Sequence, residues 1–142
     1  MLPTNMEITV VTNSIPVVNA LMENPGVEVI LAGGRMMKTS QVSVGMETKR
    51  LLEQVRVDIC FTGICSIHHE LGVTANNYDE TEIKRMMVQN ANKVVAITTH
   101  DKIGTAEAFK VCDLDTLDCI ITEVDNNNDI FKPYTALGIQ II

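Results

Sequence analysis

Short apolar runs alternate with stretches of helical spacing along the whole chain. Glu7–Val11 (EITVV) reads as a strand, closed by Thr12, Asn13 and Ser14. Pro16 suits the first turn of a helix and Ser14 stands where a cap belongs. That helix runs to about Glu23, where Asn24-Pro25-Gly26 stops it. Val27–Ala32 (VEVILA) is the next strand and leads into Gly33-Gly34. In Glu47–Val55, Leu51, Leu52 and Val55 fall on one helical stripe. Val57–Thr62 (VDICFT) reads as a buried strand, and Gly63 to Tyr78 as a long turn-rich segment. Asp79–Ala91 reads as a helix with Asp79, Glu80 and Glu82 ahead of Lys84 and Arg85, the charge order a helix dipole favours. Asp79 and Glu82 are spaced like a capping box. Lys93–Thr98 is a strand, Ala106–Val111 a short extended piece, Leu117–Thr122 a strand, Asp129–Leu137 a short helix and Ile139–Ile142 a last strand.

Strands that alternate with helices imply right-handed crossovers and parallel pairing. The expected fold is α/β, a three-layer, mostly parallel Rossmann-like sheet with helices on both faces, formed by residues 1–142 as one domain. The chain has no Trp, three Phe and two Tyr, so its core must be built from aliphatic side chains, as in sheets covered on both faces.

In such sheets ligands bind beyond the carboxyl ends of the strands. Four of those ends carry small or polar residues: Thr12-Asn13-Ser14, Gly33-Gly34-Arg35, Gly63-Ile64-Cys65-Ser66 and Thr98–Gly104. Small residues let backbone N–H groups approach an anion. The candidate binding residues are therefore Asn13, Gly33, Gly34, Arg35, Cys65, Ser66, Thr99, Lys102 and Gly104. Lys102 suits a point-charge contact to phosphate. Lys84, four residues after Glu80, has the spacing of an ordinary surface ion pair and is a further candidate cation.

Charge narrows the partners. Eleven Lys and Arg are scattered among 18 Asp and Glu, for a net charge of −7, which makes this segment alone a poor surface for duplex DNA. One local basic pocket remains compatible with that balance. Cys60, Cys65, Cys112 and Cys119 lack metal or redox-motif spacing and read as reduced thiols, which together with the absence of a membrane-length apolar run points to the cytoplasm. His68 and His69, adjacent on an extended segment, are expected to point in opposite directions and to hold no metal. No nucleophile elbow or Cys–His–Asn set is present, so no catalytic residue, metal or cofactor is expected.

The ordered runs Ile8–Pro16, Glu28–Arg35, Ser43–Gly45, Phe61–Gly63, Leu71–Thr74, Glu80–Met87, Lys102–Gly104 and Leu117–Thr122 resemble the C-terminal sensor domain of DeoR-type bacterial transcriptional regulators. The resemblance implies an isomerase-like fold that binds a small phosphorylated sugar and controls a carbohydrate-use operon as repressor or activator. It also implies a homo-oligomer, dimer or tetramer. Operator DNA would be bound only by a winged helix-turn-helix that precedes the sensor domain and is absent from these residues. The family's sensor domain also begins earlier, with a strand and a Ser-Gly-Thr-Thr phosphate loop, so the chain is expected to be truncated at its N-terminus.

Within the resemblance, the family's D-S-S-K-x-G loop falls on Thr99–Gly104, with Lys102 and Gly104 matching and Thr99 in place of Asp. The family's Gly-Ala-Asp-Gly-Ile segment falls on Gly63–Ile67, with Cys65 in place of the acid, which argues against isomerase chemistry. Two alternatives stand beside this reading: a sugar-phosphate isomerase or deaminase using Lys102 and Glu80, and a ligand-independent oligomerisation module.

Overall fold

The computed structural model describes Pro3 and residues 5–142. The chain divides into two compact units, Met1–Gln54 and Val55–Ile142.

In the first unit, β1 (Ile8–Thr12) enters α1 (Ile15–Leu21), and β2 (Val27–Leu31) returns to pair with β1 in parallel. Ser14 holds the N-cap position of α1, but its side chain makes no capping bond, while Pro16 sits in the first turn as the sequence predicts. A hairpin follows that the sequence pattern does not show, β3 (Arg35–Met37) against β4 (Val42–Val44). Its strands are too short for an alternation to register. α2 (Met46–Glu53) closes the unit and buries Thr48 and Leu52.

The second unit is built on four parallel strands in the order β11-β10-β8-β5. These are β5 (Val57–Gly63), β8 (Ala91–Ile97), β10 (Cys119–Ile121) and β11 (Gln140–Ile141). Between β5 and β8 the chain forms β6 (Ser66–His68), β7 (Gly72–Ala75) and α3 (Tyr78–Gln89). The expected turn-rich segment from Gly63 to Tyr78 is thus an antiparallel hairpin, and β7 pairs on its other side with β9 (Phe109–Cys112). All four residues of β7 are buried, so packing, not propensity, makes Gly72-Val73-Thr74-Ala75 a strand. The last crossover is a 3₁₀ turn, Asp129–Phe131, running into α4 (Lys132–Thr135).

The α/β class read from the sequence is the class observed, with parallel pairing in both units and antiparallel pairing confined to β3–β4 and β6–β7–β9. The start of α3 differs from its expectation. Asn77, not Asp79, is the N-cap, and its Oδ1 accepts from the Glu80 N–H at 3.0 Å. A side chain one residue before the first helical N–H groups is the one in reach of them.

The core of the second unit joins β8 and β10 (Val94, Ala96, Ile120) to the hairpin (Ile67, Val73) and to Phe131 and Tyr134. Alternation along β5 and β8 buries Cys60, Thr62, Val94 and Ala96 on one side and leaves Ile59, Phe61 and Ile97 exposed on the other. Among the described residues, no buried side-chain N or O lacks a hydrogen-bond partner, and no helix is long and apolar enough to cross a membrane.

Candidate functional site

The carboxyl ends of the strands form one polar cluster in each unit. In the first, β1 and β2 end at Thr12 and Leu31, and the residues that follow are largely spent on the fold. Asn13 Nδ2 donates to the Ser43 carbonyl at 2.8 Å, and the Ser43 N–H donates back to the Asn13 carbonyl at 2.8 Å. The Ser43 hydroxyl donates to the Ala32 carbonyl. The buried Asn13 therefore locks β4 to the end of β1.

Gly34 is needed for packing. A Cβ there would strike the Thr48 hydroxyl and lie 2.7 Å from the Val44 carbonyl. Gly33 has open space beside it, and its carbonyl accepts from Thr48 Oγ1 at 2.9 Å. Arg35 begins β3 with its side chain exposed.

In the second unit the cluster is tighter. β5 ends at Gly63, beside which a Cβ would meet nothing within 4 Å. Lys84, in the middle of α3, reaches back to this strand end. Its Nζ donates to the Gly63 carbonyl at 2.9 Å and lies 3.6 Å from Cys65 Sγ. The ordinary surface pair expected from the Glu80–Lys84 spacing does not describe this side chain, because a four-carbon stem on that face of α3 spans to the end of β5.

The neighbouring Ser66 is buried, with its hydroxyl 2.9 Å from that of Thr105. Thr105 also donates to the Lys102 carbonyl at 2.8 Å.

The loop after β8 is pinned from both sides. Its 3₁₀ turn, His100–Lys102, is followed after Ile103 by Gly104, whose φ of +81° suits glycine and whose N–H donates to the Ile67 carbonyl at 2.7 Å. Thr99 Oγ1 donates to Asp101 Oδ1 at 2.5 Å, and that bond holds the Asp101 carboxyl below its ordinary range. Across the strand ends, Glu123 Oε1 accepts from the His100 backbone N–H at 2.9 Å and faces His100 Nδ1 at 3.3 Å. The His100 N–H is the first cause that brings the Glu123 carboxyl down to about 2, followed by its own N–H and the Thr122 hydroxyl. Lys102, the last residue of this turn, is half-buried.

Of the candidates, the structure thus brings together Cys65, Ser66, Lys84, Thr99, Lys102 and Gly104 around the ends of β5 and β8. Asn13, Gly33, Gly34 and Arg35 stand around the ends of β1 and β2. Sequence reasoning misses Thr105 and Glu123. Thr105 directly follows the Gly104 turn, and Glu123 lies two residues past the end of β10, the strand-end position searched elsewhere.

The four cysteines are free thiols. Burial pushes Cys60 and Cys112 up to about 11. The expectation that His68 and His69 diverge is corrected. Their rings stack with centroids 4.5 Å apart, because His69 lies past the end of β6, outside the strand's alternation. Among the described residues, no group of three or more His, Cys, Asp or Glu is placed to hold a metal. Chemically, the second cluster gathers the Lys84 ammonium and the Ser66, Thr99 and Thr105 hydroxyls near the end of β5, while the His100 and Gly104 backbone N–H groups are spent on Glu123 and Ile67.

The chain is similar to known regulators. The chain is 30% identical over 134 residues to the HTH-type transcriptional regulator GolR of Listeria innocua, covering 94% of the chain and 53% of that protein. It is 30% identical over 137 residues to the HTH-type transcriptional repressor GlcR of Bacillus subtilis, covering 96% and 53%. It is 25% identical over 134 residues to the glycerol-3-phosphate regulon repressor of Escherichia coli, covering 94% and 53%. The chain spans about half the length of these curated relatives. A family model described as the DeoR C terminal sensor domain matches residues 1–124, and the chain belongs to that family.

Proposed function

We propose that the chain is the effector-binding part of a DNA-binding regulator and that its effector is a small phosphorylated sugar. The observation that carries this reading is the reach of Lys84 to the end of β5, where its ammonium stands beside the open Gly63 and, through Cys65 and Ser66, beside the Thr98–Gly104 loop. An ammonium serves a phosphate as a point charge. Hydroxyls such as Thr105 and the exposed Thr99 suit a polyol. Asn13, Gly33, Gly34 and Arg35 form a separate candidate set in the first unit.

The relatives named as regulators and repressors support a non-enzymatic, cytoplasmic role in controlling a carbohydrate operon. No cofactor enters this reading. The net charge of −7 favours operator contact through a module other than these residues. A homo-oligomer, dimer or tetramer, would carry the signal: effector binding shifts its geometry and so the spacing of the DNA-reading modules. The exposed Ile59, Phe61 and Ile97 on one sheet face favour association over a solitary chain.

Thermal melting of the full-length protein against phosphorylated sugars and their unphosphorylated parents tests the reading. A ligand at 100 times its Kd adds about 2.7 kcal/mol of stability. A rise with one phosphate and none with its parent is expected. No rise with any phosphate, together with an unchanged oligomer, would leave only an oligomerisation module.

A further inference from the structure

The four free cysteines differ in what can reach their sulfur. Cys60 and Cys119 are buried, in β5 and β10. Burial pushes the Cys60 and Cys112 thiols up to about 11 and raises Cys119 as well. Cys65 stands apart. It lies in the turn between β5 and β6, half-buried and packed against the core of the second unit.

The neighbour described for its sulfur is a nitrogen: Lys84 Nζ lies 3.6 Å from Cys65 Sγ. The same ammonium donates to the Gly63 carbonyl at 2.9 Å, so a long, rotamer-rich side chain from α3 is fixed beside the sulfur before any reaction. Thiols that react with peroxide are accessible and stand beside a cation. A sulfenic acid formed on such a thiol condenses with the nucleophile in reach, a second thiol or a nitrogen. Among the described contacts of Cys65, that nucleophile is Lys84 Nζ.

We propose that Cys65 and Lys84 form a modification site, a reversible sulfur–nitrogen link made when the protein meets hydrogen peroxide. The first step breaks the peroxide O–O bond and forms an S–O bond. Thiol and peroxide give sulfenic acid and water, and sulfur loses two electrons to the peroxide. In the second step the Lys84 nitrogen attacks the sulfur, the S–O bond breaks and an S–N bond forms. One ammonium proton goes to solvent and a second leaves with the hydroxyl as water. The product is a neutral sulfenamide. A thiol reductant attacks its sulfur and returns the free amine, so the link reverses. The link removes the positive charge of Lys84 from the end of β5. Oxidant thereby sets the charge at that strand end, with or without an effector.

The test treats the full-length protein with hydrogen peroxide, alongside Cys65→Ser and Lys84→Gln, and maps the products by mass spectrometry. Digestion at glutamate separates the two residues, because Glu70, Glu80 and Glu82 lie between them. Expected in the wild type is a loss of two hydrogen atoms, with the peptides that hold Cys65 and Lys84 joined, and recovery of both with dithiothreitol. Lys84→Gln should stop at the sulfenic acid, a gain of one oxygen that dimedone traps, and Cys65→Ser should give neither product. If a variant fails to fold, the wild-type map alone decides, because it identifies the joined residues. Dimedone labelling of Cys65 as strong in the wild type as in Lys84→Gln overturns the proposal. So do a link from Cys65 to another cysteine, an oxidation that begins at Cys60 or Cys112, and a Cys65 that peroxide leaves unchanged. None of these outcomes bears on the effector reading, which is tested by ligand binding.

Discussion

The Tyr134 hydroxyl donates to the backbone carbonyl of Ile67 at 3.3 Å, a buried bond between residues 67 positions apart in the chain. The same carbonyl accepts the Gly104 N–H at 2.7 Å. One oxygen on β6 therefore anchors both the loop after β8 and the helical segment before β11. Burial pushes the phenol above its ordinary range, so it remains a donor at any working pH.

Tyr134→Phe keeps the ring packed against Phe131 and removes only this donor. Ile67 retains its bond from Gly104, so the expected cost is at the lower end for a buried hydrogen bond, about 1 kcal/mol. A urea denaturation midpoint measures it. An unchanged midpoint would mean the bond contributes nothing net.

The two strand-end glycines should respond in opposite ways. Gly34→Ala drives a methyl group into the Thr48 hydroxyl and toward the Val44 carbonyl, and backbone cannot yield cheaply, so a loss of about 1–3 kcal/mol is expected. Gly63→Ala meets nothing within 4 Å and should fold as the wild type does. Melting of the two variants checks both outcomes.

Acid should act through Glu123. Its carboxyl is held at about 2 in the fold, against 4.5 ordinarily, first by the His100 N–H. A depressed folded value means stabilisation that is full above pH 4.5 and is lost as the pH falls toward 2. Denaturation midpoints at pH 5 and pH 3 should therefore fall further in the wild type than in Glu123→Gln. Because the carboxylate is exposed, the difference should also shrink in high salt.

Alkylation separates the thiols. With Cys60 and Cys112 pushed to about 11, little thiolate is present at pH 8, and iodoacetamide should spare both until the protein unfolds. Peptide mapping against time checks this, and rapid labelling of Cys60 in the folded protein would contradict its burial.

Much of this architecture was legible in the chain. The runs at Val27–Ala32, Val57–Thr62 and Lys93–Thr98 are apolar enough to mark parallel strands, and the strand-end rule led to Cys65, Ser66, Lys102 and Gly104. The hairpins were not legible, because β3, β4 and β6 have three residues each and are strands only through their partners. The contact of Lys84 with the end of β5 was hidden for a different reason. Spacing along a helix reports neighbours on that helix, whereas the Gly63 carbonyl lies 21 residues away in sequence. Asn13 and Gly34 illustrate the reverse case, residues placed as ligand contacts that are first of all fastenings, of β4 to β1 and of α2 to the end of β2. Thr105 and Glu123 stood one or two residues beyond the stretches read as strand ends.

The most direct test of effector sensing is operator affinity of the full-length protein, measured with each phosphorylated sugar and with its unphosphorylated parent. The account predicts that one phosphate changes the affinity tenfold or more, that its parent does not, and that Lys84→Gln loses the response while still binding operator. Operator affinity indifferent to every phosphorylated sugar, in a protein whose melting none of them shifts, would contradict it.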